Sequence, residues 1–203
     1  MTGRETDLRS AIRASLASIS WSLCAGLAAV VVGLAANTLS LLAYGLDGIV
    51  DSVASVVILF DLRVEVRGGR PPAHRRAERT VGAALLLIGG AVIVQSMRGM
   101  RSGTGPDASP FGIAIAIAST LLLPPLAVWK LRLGGRLEST ALQGDGILTG
   151  AGAALAAITL AGMLLDARLG WWWADPAAAL VIGVFLVVAG ALTLRDRGAH
   201  ART

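Results

Sequence analysis

Six apolar runs divide this chain, at roughly 15–36, 39–62, 78–97, 111–129, 139–165 and 173–194. Each approaches or exceeds the ~20 residues that a helix needs to cross the hydrocarbon core of a bilayer. Backbone amides in that core must be satisfied within the segment, so runs of this length fold as helices. The sequence thus predicts an all-α membrane protein with six transmembrane helices. A soluble domain is excluded by the overall balance, because 55% of the residues are hydrophobic, only 15% are charged and the mean hydropathy is +0.70.

The first run follows a polar head containing Arg4, Glu5, Asp7, Arg9 and Arg13. It is too long for a secretory leader and has no clear small-residue cleavage site, so it is read as the first spanning helix. The expected organisation is a cytoplasmic N-terminal segment (1–14), a six-helix transmembrane domain (15–194) and a short cytoplasmic tail (195–203).

Orientation follows from the positive charges, which collect in cytoplasmic loops. With the N-terminus inside, fifteen of the eighteen Lys and Arg residues lie in inner segments, Lys130, Arg132 and Arg136 among them. Only Arg98, Arg101 and Arg168 lie outside. Both termini are predicted cytoplasmic, in the cell inner (plasma) membrane. The net charge of +5 then reflects topology, and no nucleic acid partner is expected, since the charge is spread over short loops without interleaved aromatics.

Polar residues inside apolar runs are the candidates for function. In the second run Asp47, Asp51 and Ser55 recur every four residues and share one helix face. An ionised carboxylate is costly in hydrocarbon and commonly marks an ion or proton pathway, although one alone can also cap a helix or pair with an Arg. Two on one face, with no basic residue counted inside the six runs, repel each other. Either a proton or a divalent cation relieves that repulsion, and competition between them is the physical basis of an antiporter.

Other features have structural explanations. Cys24 is alone and reads as a small buried hydrophobe. His74 and Glu78 are spaced i,i+4, which can hold a metal, but beside several arginines they also suit a solvated helix entry. Pro124-Pro125 is expected to break or kink the fourth helix. Glu138, Ser139 and Thr140 supply capping chemistry for the fifth, and Gly146 and Gly150 give it a close-contact face. Asp175-Pro176 reads as the N-cap and first residue of the sixth, after the interfacial anchor Trp171-Trp172-Trp173. Finally, Asp145-Gly146-Ile147-Leu148 echoes Asp47-Gly48-Ile49-Val50, as in transporters built from repeats. Opposite helix directions put Asp145 nearer the cytoplasm than Asp51.

Asp47-x-x-x-Asp51, His74-Arg75-Arg76-Ala77-Glu78 and Trp173-Ala174-Asp175-Pro176, in this order, resemble the transmembrane domain of the cation diffusion facilitator (cation efflux) family. The likeness covers roughly 16–194 and is to short bacterial members that lack a C-terminal cytoplasmic domain. It implies a cation-efflux-type bundle, a homodimer in the lipid bilayer, and exchange of divalent cations for protons. It also implies metal ligation by Asp47 and Asp51, with Asp145 as a family-type residue that can join them. His74 and Glu78 would form a secondary or entry site, with Ser55 and Thr149 as polar support. The family's remaining two ligands in the fifth helix fall on Leu148 and Gly152, neither of which binds metal.

The expected function is therefore divalent-metal efflux by metal/proton antiport, with no prosthetic group and no enzyme activity. Resemblance points to Zn²⁺, while a site built from carboxylates favours harder ions such as Mn²⁺ or Mg²⁺, with Fe²⁺ and Co²⁺ also candidates. Two alternatives stay open: a non-transporting membrane scaffold or regulatory partner, and a proton-coupled exporter of small cationic molecules.

Overall fold

The computed structural model describes residues 3–66, 75–102 and 109–200, and every element among them is helical. In chain order these are α1 (Gly3–Ala35), α2 (Leu39–Val66), α3 (Arg75–Ser102), α4 (Pro110–Leu137), α5 (Thr140–Leu169) and α6 (Ala174–His200). Among the described residues, α1, α2, α4, α5 and α6 contain stretches long and apolar enough to cross a membrane.

Side chains are distributed as hydrocarbon dictates. On α1 the exposed large apolar residues are Leu16, Leu23, Leu27, Val31 and Leu34, while Ala11, Ala14, Ser15, Ser18, Ser22 and Ala29 are buried. Large apolar groups outside and small or polar groups inside invert the soluble pattern. Helices in lipid associate through close packing and hydrogen bonds, with little hydrophobic drive between them. Cys24 belongs to the outer face, contrary to the buried position expected from its chemistry.

Turn chemistry fixes the connections. Asn37 takes the left-handed conformation (φ 51°) and Thr38 N–H donates to Gly33 O at 2.9 Å, folding α1 back onto α2 as expected for a tight turn. Ser109 caps α4 by accepting from Gly112 N–H at 3.2 Å. Ser139 caps α5 by accepting from Leu142 N–H at 3.3 Å, as its position predicts, while Glu138 (φ 54°) closes α4.

Three helix pairs pack most extensively: α3 with α6, α4 with α5, and α1 with α2. Glycine makes this proximity feasible. A Cβ built on Gly45 would lie 2.7 Å from Gly26 O, and one on Gly89 would lie 2.8 Å from Gly183 O. Gly146 meets Leu131 of α4, so the fifth helix's contact face is used within this chain. Across these pairs α2 also touches α3, α5 and α6, which places its polar face in the middle of the bundle.

Two expectations about α4, a break at its prolines and a loop position for Lys130, fail. The helix runs unbroken through Pro124 and Pro125 to Leu137, with both prolines on its exposed side. Breakers are tolerated in such helices because neighbouring groups and local adjustment satisfy the freed carbonyls. As a result Lys130 belongs to the helix rather than to a loop, and its side chain is fully buried.

Candidate functional site

The α2 face carries polar groups turn after turn: Ser40, Tyr44, Asp47, Asp51 and Ser55. Asp47 is 8% exposed and Asp51 is partly buried. Among the described residues, neither carboxylate is held in an ion pair or a hydrogen bond. Both line a cavity of about 70 Å³ at the seam of α2, α3, α5 and α6, walled by Val50, Leu85, Leu148 and Phe185. A water needs only ~10–15 Å³ of such space, so a cation with a few of its waters fits. Unpaired carboxylates in an apolar cavity are costly, and a cation between them lowers that cost.

Asp145 stands apart from the pair. Its side chain is fully buried one α2 turn beyond Asp51, where Oδ1 accepts from Ser55 Oγ at 2.8 Å and Oδ2 from Ser15 Oγ at 2.7 Å. Lys130 Nζ lies 2.8 Å from the same Oδ2. The ammonium also donates to Thr149 Oγ1 at 2.9 Å and to Ser18 Oγ. Thr149 Oγ1 in turn donates to Asp145 O at 2.9 Å. This network joins α1, α2, α4 and α5, and within it each charge is met by an opposite charge and by hydroxyls.

The expectation that the spans hold no basic residue is therefore corrected by Lys130. Its position was nevertheless legible in the helical period, since Leu123, Ala127, Lys130 and Leu133 form one buried stripe of α4. Ser15 and Ser18 are the other members that motif reading passed over. Ser55 and Thr149, singled out as polar support, are both in the network. Among the described residues no three carboxylate, His or Cys groups converge on one point, so Asp145 does not join Asp47 and Asp51 in a three-carboxylate cluster.

Other sequence candidates lie elsewhere. His74 is outside the described residues, and Glu78 falls in the first turn of α3. Asp175 is structural, but it caps a different helix from the one expected. Its Oδ2 accepts from Leu39 N–H at 2.8 Å and its Oδ1 from Ser40 N–H at 3.3 Å and from Ser40 Oγ–H, at the N-terminus of α2. It sits inside the first turn of α6, which begins at Ala174, so its carboxylate is free to satisfy the neighbour's orphan amides. Trp171 and Trp173 stack 5.4 Å apart, half-exposed, at the same end.

No family model matches this chain. It is similar to the uncharacterized transporter YdbO of Bacillus subtilis (strain 168), at 24% identity over 90% of this chain. A second relative is transmembrane protein 163 of Xenopus laevis, 25% identical over 93% of the chain. A third is the uncharacterized transporter sll1263 of Synechocystis, 26% identical over 79%. The chain spans 65%, 67% and 54% of these proteins' own lengths, respectively.

Proposed function

We propose that this protein is a membrane transporter that exports a divalent metal cation in exchange for protons, with Asp47 and Asp51 as the exchange site. The observation that carries this reading is the pair of carboxylates that line one cavity inside an apolar bundle, unpaired among the described residues. Similarity to two proteins named as transporters supports transport in general. The substrate class rests on the chemistry of the pair and on the resemblance of its motif to cation efflux proteins.

The cation would reach the pair from the arginine-rich side, displace a proton, and leave on the far side after the bundle rocks between inward and outward access. Two carboxylates give two to four oxygens, so water would complete the coordination. An all-oxygen site suits Mn²⁺ or Mg²⁺, whereas the resemblance points to Zn²⁺.

One observation favours a second reading, a non-transporting membrane partner. Leu148 lines the cavity beside Asp47 and Asp51, at the position where the resemblance places a further metal ligand. Equilibrium binding separates the candidates at the first step. Wild-type protein in lipid nanodiscs is titrated with Mn²⁺ and Zn²⁺, alongside Asp47→Asn/Asp51→Asn. Saturable binding lost in the double variant supports the site, and equal binding by both proteins removes it.

A further inference from the structure

Three carboxylates lie along the meeting of α2 and α5, and one of them is neutralised from within the chain. Asp47 and Asp51 face the cavity, while Asp145 meets Ser55 one turn further along α2. Ser55, which bonds Asp145, is one turn from Asp51 on the same helix, so the Asp145–Lys130 pair neighbours Asp51. The ammonium has three donors and three acceptors around it: Asp145 Oδ2, Ser18 Oγ and Thr149 Oγ1. Asp145 Oδ2 takes Ser15 and Lys130, and Oδ1 takes Ser55. Nothing in this arrangement leaves Asp145 free to turn toward a cation at Asp51.

Resting on the proposed cation site, we infer that Lys130 is a specificity-determining residue: a tethered ammonium that keeps Asp145 out of the site and limits its charge to that of Asp47 and Asp51. One divalent cation balances those two carboxylates. With Asp145 also free and ionised, a site loaded with one divalent cation would keep a net negative charge in an apolar bundle, a costly state. Without Asp145, the ammonium would compete with the cation for Asp51. The pair therefore acts as a charge setting beside the cavity, in addition to cross-bracing α1, α2, α4 and α5.

Binding of Mn²⁺ and Zn²⁺ to purified protein in nanodiscs, measured by calorimetry, tests this with a double-mutant cycle. Lys130→Gln removes the charge and keeps an amide with two N–H donors, enough for two of the three groups Asp145, Ser18 and Thr149. It should bind about tenfold or more tightly, because Asp145 becomes available as a third carboxylate. Asp145→Asn should bind about tenfold or more weakly, because the released ammonium competes at Asp51. Lys130→Gln/Asp145→Asn should return to within about threefold of wild type, since both perturbing charges are gone.

Equal weakening of Asp145→Asn and the double variant would make Asp145 a direct ligand and overturn the inference. Wild-type affinity in every folded variant would leave the pair a purely structural brace, which also overturns it. Should Lys130→Gln fail to fold, the comparison of Asp145→Asn with the double variant decides the same point. Absence of binding by folded wild type would instead overturn the cation site itself, and this inference with it.

Discussion

Lys130 Nζ of α4 sits 2.8 Å from Asp145 Oδ2 of α5, with both side chains withdrawn from the surface. A buried pair of this kind punishes the loss of one partner far more than the loss of both, because a single deletion leaves an uncompensated charge in a medium that cannot solvate it. Lys130→Met is expected to destabilise the folded protein by about 3–5 kcal/mol, and Lys130→Met/Asp145→Leu by much less. Thermal unfolding in one detergent checks this. Equal destabilisation by single and double variants would show that the pair does not carry the effect.

Asp175 ties the start of α6 to the start of α2. Removing its carboxylate in Asp175→Ala orphans the amides of Leu39 and Ser40, and a cost of about 1–3 kcal/mol is expected. Hydrogen exchange locates the effect: protection should fall at Leu39 and Ser40. Loss confined to the first turn of α6 would mean that Asp175 caps its own helix instead.

Gly89 and Gly90 are neighbours on α3 with opposite surroundings. A Cβ on Gly89 would sit 2.8 Å from Gly183 O of α6, whereas one on Gly90 meets nothing within 4 Å. Gly89→Ala must push the two helices apart at a cost of about 1–3 kcal/mol. Gly90→Ala should be neutral or stabilising by up to about 1 kcal/mol. Unfolding midpoints of the two variants check the contrast, and the reverse order would contradict the packing of α3 on α6.

Leu148 presents an apolar side chain to the cavity that Asp47 and Asp51 line. Leu148→Asp adds a carboxylate there, and divalent-cation affinity should rise about tenfold or more if that cavity is the cation site. Calorimetric titration of the folded variant reads this directly. Unchanged affinity would place any bound cation elsewhere.

Much of the architecture was legible from the runs themselves, because hydrocarbon leaves helix as the form for an isolated apolar stretch. The Asp47 and Asp51 face was legible too, since a four-residue spacing leaves little freedom in where two side chains on one helix can go. Lys130 was misassigned because Pro124-Pro125 looks like a stop and Arg132 and Arg136 look like a loop. Both impressions are local, whereas the burial of Lys130 depends on Asp145, fifteen residues later and on another helix. Asp175 was read as a cap for the helix it begins, since sequence shows neighbours along the chain and cannot show the amides of Leu39 and Ser40. The pairing of Gly89 with Gly183 was missed for the same reason: neither glycine reveals which helix will approach it.

The most direct test is metal-driven proton movement in proteoliposomes, with Zn²⁺, Mn²⁺, Fe²⁺, Co²⁺ and Mg²⁺ each supplied on one side and a pH-sensitive dye on the other. Wild type should couple the downhill flux of at least one of these ions to opposite proton movement. Asp51→Asn, confirmed folded, should abolish that coupling. Folded wild type that moves none of the five ions, or an Asp51→Asn variant that exchanges as fast as wild type, would contradict the assignment of the Asp47 and Asp51 pair as the exchange site.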